Sequence, residues 1–155
     1  MVTMASGTLS RIVAFRLSPG EDILGGLGQV CDKYGIRSGV IISGIGSLDG
    51  AKFHDVEALP GTRAGYGYGD VIVHTEPIEL ISASGSICEG ESGEVLFHVH
   101  CSFSDQKGNA YGGHLIEGNK VLLTADFVIG EFEGISMDRR FDEELGVFLI
   151  KPREV

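Results

Sequence analysis

Glu94–Ser104, EVLFHVHCSFS, runs into Asp105–Ile116, DQKGNAYGGHLI, and the rest of the chain can be read outward from this pair. Side chains alternate between the two faces of a β-strand. Val95, Phe97, Val99, Cys101 and Phe103 therefore share one face, apolar enough to line a core. His98, His100, Ser102 and Ser104 share the other. Two strand steps separate the imidazole-bearing α-carbons by roughly 6.5–7 Å, which lets both rings turn toward one ion.

Gln106-Lys107-Gly108 has the form of a three-residue hairpin loop, with glycine where left-handed backbone is needed. Closing there pairs Asp105 with Asn109 and sets His100 opposite His114 on one face. His98, His100 and His114 then form a ligand set for zinc or a similar borderline ion, leaving a position open for water or substrate. The inference depends on register. A two-residue turn at Lys107-Gly108 sends His114 to the wrong face, and a bulge at Gly112-Gly113 resets its parity. The alternative is a set of surface histidines on the polar side of a hairpin.

Upstream, Leu9–Leu17 alternates as a first strand. Ser18-Pro19-Gly20-Glu21 has the form of a capping box, and the apolar spacing of Ile23, Leu24, Leu27, Val30, Cys31 and Tyr34 predicts a helix that Gly35 ends. Strands are predicted at 38–45, 51–57, 71–74, 78–88, 94–104, 111–116, 121–132 and 146–150. The fold class is therefore α+β, one mainly antiparallel sheet curved by its glycines with one N-terminal helix on a face. Residues 1–155 are expected to form a single domain, with Leu59–Asp70 as a long loop inside it.

Composition narrows the function. Of 155 residues, 22 are acidic and 12 basic, a net charge of −10, which opposes general affinity for a phosphate backbone. Twenty-four glycines but only 4 prolines, with 43% apolar residues, describe a folded body. Met1–Ser10 has no export signal, and the weakly polar run at 38–48 is too short to span a membrane. Cys31, Cys88 and Cys101 are odd in number and show no C-x-x-C spacing; a reducing, cytoplasmic setting follows.

Other candidates are weaker. His54 and His74 lie in short strand-like runs with no partner spacing. Glu79 could be a buried acid near the metal or a solvated strand end. Arg63 and the Arg139-Arg140 pair could hold a carboxylate or be ordinary surface charges. Cys101 faces the core, so its role is packing.

The succession FRLSPGEDILGGLGQVCDKYGIRSGVIISGIGSL, IELISASGSI, FHVHCSFSD, KGNAYGGHLIEG and VLLTADFVIG resembles the PPC domain, the plant-and-prokaryote conserved domain. The resemblance covers Leu9–Gly130, and the H-x-H strand followed by G-G-H-L is its most specific part. It implies an α+β fold assembled as a homotrimer, with a metal, usually zinc, on His98, His100 and His114. The fold it implies is also similar to that of acetolactate decarboxylase, whose zinc is held by a His-x-His pair and a later histidine. In plant members the domain follows an AT-hook, absent here, so their DNA-binding role does not carry over. Residues 131–155 extend beyond the resemblance and would cover the site or mediate packing.

Two readings follow. One is a homotrimeric metal-binding protein whose three-histidine site opens to a small-molecule ligand, with metal-dependent lyase or hydrolase chemistry as its catalytic form. The other is a regulatory or scaffolding module associated with DNA-binding proteins, with a structural metal.

Overall fold

The computed structural model describes residues 2–155. In chain order the elements are β1 (Thr8–Leu17), α1 (Ile23–Tyr34), β2 (Gly39–Leu48), β3 (Ala51–His54), β4 (Val56–Ala58), β5 (Tyr66–Tyr68), β6 (Ile72–His74), β7 (Ile78–Glu89), β8 (Val95–Ser104), β9 (Ala110–Leu115), β10 (Val121–Glu133), β11 (Ile135–Asp142) and β12 (Val147–Glu154). The main sheet runs β1-β10-β2-β7-β8-β9-β3-β6 and is open. Its pairings along this path are all antiparallel. The β11–β12 hairpin joins β7 through one parallel bridge, Asp138 to Glu89. The α+β class read from the sequence is therefore the architecture observed.

The core lies between the inner face of this sheet and α1. Leu17, Ile23, Leu27, Ile41, Ile87, Val99, Phe103, Phe127 and Ile129 are all buried there. Each such aliphatic or aromatic side chain contributes about 1.5–3 kcal/mol when fully withdrawn from water. In β8 the alternation holds from Val99 onward, with Val99, Cys101 and Phe103 buried and His100 and Ser102 exposed. Val95 and Phe97, also expected on the core face, are half-buried because the strand there borders a surface hollow.

The start of the helix differs from the sequence reading. Ser18–Glu21 is a turn, in which Ser18 O accepts from the Glu21 N–H, and the Glu21 carboxylate accepts from the Ser18 N–H. Gly20 has φ +86°, which a helical first turn does not tolerate. Asp22 is the N-cap instead, accepting from Gly25 N–H at 3.0 Å. At the other end Gly35, φ +68°, closes the helix as expected.

Two further segments depart from expectation. The predicted strand at 51–57 divides at Asp55 into β3 and β4, and β5 arises inside the 59–70 loop to pair with β4. The Tyr66-Gly67-Tyr68 alternation that makes β5 is hidden among glycines. Residues 131–155 hold two strands where one was expected near the end: β11 lacks a clean apolar alternation, being half-buried along most of its length. Among the described residues, no helix is long and apolar enough to cross a membrane.

Candidate metal centre

The hairpin loop closes as the sequence requires. Asp105 N–H donates to Asn109 O at 3.1 Å, Gly108 N–H donates to Asp105 O at 3.0 Å, and Gly108 takes φ +79°. The Asp105 side chain does more than the sequence suggested. Its Oδ1 accepts from the Lys107 and Asn109 amides, and its Oδ2 from the Asn109 side chain and the Tyr111 hydroxyl. These donors hold its carboxyl down to about 2.

From that loop the register runs without interruption: Ser104 to Ala110, Phe103 to Tyr111, Ser102 to Gly112, Cys101 to Gly113 and His100 to His114. There is no bulge at Gly112-Gly113. Glycine at 113 is required by the approach of β3, since a Cβ there would lie 2.5 Å from His54 O. The geometry therefore resolves the register in favour of a shared face.

His98, His100 and His114 converge. Their ring centroids are 4.9, 5.0 and 5.5 Å apart, and one nitrogen from each lies within 4.8 Å of the others. No other His, Cys, Asp or Glu joins this group among the described residues. Burial pushes the His114 imidazole down to about 4, aided by the neighbouring His98 and His100. His98 is lowered for the same reasons, burial first and His100 next. Both are thus neutral at pH 7, the form in which imidazole donates a lone pair. The buried Nδ1 of His114 has no hydrogen-bond partner. Such an orphaned nitrogen is costly unless something binds it.

The surroundings come from three places. Tyr68 of β5 lies against His114, ring centroids 4.5 Å apart, and also stacks near His54 at 5.6 Å. His54 is directly across from His114 in the β3–β9 register, but its Nδ1 donates to Gly69 O at 2.8 Å. It therefore buttresses the loop that carries Tyr68. The β11–β12 hairpin supplies Arg139, Phe148 and Ile150 to a cavity of about 470 Å³ that His98, His114 and Tyr68 also line. A second cavity of about 300 Å³ is lined by His54, Tyr68, His100 and His114.

The remaining sequence candidates separate. His74 packs against Phe53 and Tyr111. Glu79 is an exposed strand residue paired with Ser47 and Ser104, away from the histidines. Arg63 donates to the Glu143 carbonyl, fastening the 59–70 loop to the β11–β12 turn. Arg140 turns to Glu89 O and Asp138, whereas Arg139 lines the cavity. Cys101 is in the core, its thiol pushed up to about 12 by burial. Tyr68 was not singled out in the sequence; the signal available was its alternation with Tyr66, two residues away.

Residues 4–133 match the Plants and Prokaryotes Conserved (PCC) domain. Among solved structures, a plant- and prokaryote-conserved (PPC) protein from Pyrococcus horikoshii is 29% identical, covers 96% of this chain and 97% of its own, and gives a TM-score of 0.78. A protein from Archaeoglobus fulgidus described as metal-containing gives 0.81 at 23% identity, over 96% of this chain and 99% of that one. A protein from Ralstonia eutropha JMP134, described as a candidate DNA-binding protein, gives 0.72 at 23% identity, over 88% of each chain. The bifunctional protein GlmU of Synechococcus sp. (strain JA-2-3B'a(2-13)) is 28% identical over 143 residues, which are 92% of this chain but only 20% of that protein. The domain match spans most of the chain, and the solved structures share its fold over 88–96% of it: the chain belongs to the Plants and Prokaryotes Conserved domain family.

Proposed function

We propose that this protein binds a divalent transition-metal ion, zinc by the chemistry of its all-nitrogen ligand set, through His98, His100 and His114, and presents it to a small-molecule ligand. The observation that carries the proposal is the convergence of three imidazoles around an orphaned buried nitrogen, with His98 and His114 biased by burial toward the neutral form. The Archaeoglobus relative described as metal-containing supports it. A bound ion would supply Lewis acidity toward a carbonyl or carboxylate, the chemistry of a lyase or a hydrolase.

The chain's own residues do the rest. The β8–β9 hairpin holds the three rings on two adjacent, hydrogen-bonded strands. Tyr68 shields His114 on one side, and Phe148 and Ile150 give the adjoining cavity an apolar wall. A structural metal would call for a fourth protein ligand, and none is grouped with the three among the described residues.

Assembly as a homotrimer belongs to the same proposal. Pairing across the sheet places His98, Ser86, Val40, Gly130 and Ile12 in one row on one face. That face continues into Ile42, Ile45 and Ile81, each about half exposed. An apolar sheet face of this kind favours burial against other copies. All three cysteines are free and buried, as suits a cytoplasmic setting.

Elemental analysis after expression in metal-supplemented medium is the test. About one ion per chain is expected, with His100→Ala and His114→Ala variants losing it while keeping the native circular dichroism. Folded native protein that takes up no ion, or His→Ala variants that retain it, would sink the proposal. Sedimentation velocity tests the trimer separately.

A further inference from the structure

The wall of the cavity beside His98 and His114 differs in charge from the rest of the molecule. The chain carries 22 acidic residues and a net charge of −10, yet none of the ten residues lining this cavity is acidic. Its one permanently charged group is the guanidinium of Arg139. Arg11, Arg16, Arg140 and Arg153 each face a carboxylate within 4.0 Å. Arg139 has no such ion pair among the described residues. It is held instead by stacking on Phe148, with Cζ 5.0 Å from the ring centroid.

Glu91 and Glu94 are the nearest rivals, since they line a smaller adjoining hollow with Arg139. Both are otherwise engaged. Glu91 accepts from the Phe141 amide at 3.3 Å and Glu94 from the Ser92 amide at 2.9 Å. The guanidinium is thus free to present its planar fork to an oxyanion. The other walls are Leu96, Phe97, Phe148, Leu149 and Ile150. A volume of about 470 Å³ suits a small organic molecule.

We infer that this cavity binds a small organic carboxylate, its charged end on Arg139 and its apolar body against Leu96, Phe148 and Ile150. The inference rests on the reading of the cavity as a ligand pocket beside a metal, but the Arg139 contact belongs to the protein alone. Carboxylate and inorganic phosphate share the oxyanion chemistry that a guanidinium recognises; the apolar walls select the organic acid.

Isothermal titration with phenylacetate as the probe tests this, on metal-loaded and on chelator-treated protein. Phenylacetamide serves as the neutral isostere and inorganic phosphate as the second anion. Phenylacetate is expected to bind both forms, and at least about tenfold more tightly than phenylacetamide or phosphate. Arg139→Gln should weaken it about tenfold or more, with Arg139→Lys between. Arg139 is exposed, so neither variant should disturb folding. Equal binding of acid and amide, tighter binding of phosphate, or an Arg139→Gln variant that binds as well as the native chain would overturn the inference. Arg139-dependent binding in a protein that takes up no metal would overturn the metal reading alone. Metal uptake without Arg139-dependent binding would overturn this one alone.

Discussion

The β8–β9 hairpin is tied by five consecutive register pairs, and its inner face, with Val99, Cys101 and Phe103, is sunk in the core. The β11–β12 hairpin meets the sheet at one bridge, Asp138 to Glu89, and its only buried residue is an acid. Both line the same cavity. The first supplies His98 and His114 from a floor that cannot shift without disturbing the core. The second supplies Arg139, Phe148 and Ile150 from a flap whose ties are mostly polar. One hairpin is therefore suited to fixing an ion, and the other to fitting a ligand.

The largest effect should come from the floor. Phe103→Ala removes a fully buried ring that packs 5.4 Å from Phe53, and should cost about 3–5 kcal/mol in denaturant unfolding. Metal affinity should fall with it, because the same strand carries His98 and His100. A variant destabilised by that amount but with unchanged metal affinity would break the link between core and ion.

A smaller effect is expected from the flap. Asp138 accepts from Ser136 and from Arg153, the latter at 3.1 Å, and holds the hairpin together at its buried point. Asp138→Asn should cost about 1–2 kcal/mol, since the exposed Arg153 can rehydrate. Ion content should stay at the native level while phenylacetate binding weakens. Loss of the ion in this variant would show that the two hairpins are not separable.

A pH dependence is also expected, confined to the floor. His114 is held down to about 4 in the folded chain, against an ordinary 6.5, and His98 is lowered as well. Between those values the unfolded chain takes up protons that the folded chain refuses. Acidification of metal-free protein from pH 6.5 toward 4 should therefore lower its thermal midpoint, with no contribution from these groups above that range. His114→Gln should flatten the slope; an unchanged slope would assign it to other groups.

The contrast also explains what could be read in advance. His100 and His114 were legible because a period of two and one glycine at 108 fix both faces and register within fifteen residues. Cys101 was placed correctly by the same alternation. Arg139 could not be told from Arg140 until β11 was known to be a strand, because only then do adjacent side chains point to opposite sides. The acids and arginines of that strand obscure its periodicity. Tyr68 escaped for a related reason: its strand is three residues long, and its neighbours are the glycines of an expected loop. The helix start was misplaced because Ser18 and Glu21 satisfy a local capping pattern while Asp22 answers to contacts far away in the chain.

Those distant contacts have their own consequence. Besides capping α1, Asp22 accepts from the amides of Gly118 and Asn119. The buried Asn119 in turn bonds Lys52 in β3 and the carbonyl of Ile116, two residues beyond His114. One carboxylate thus clasps the helix, β3 and the end of β9 into a single opening unit. In amide hydrogen exchange, Gly25, Lys52, Gly118 and Asn119 should therefore share one protection factor, and the strand that carries His114 should open with the helix rather than fray alone.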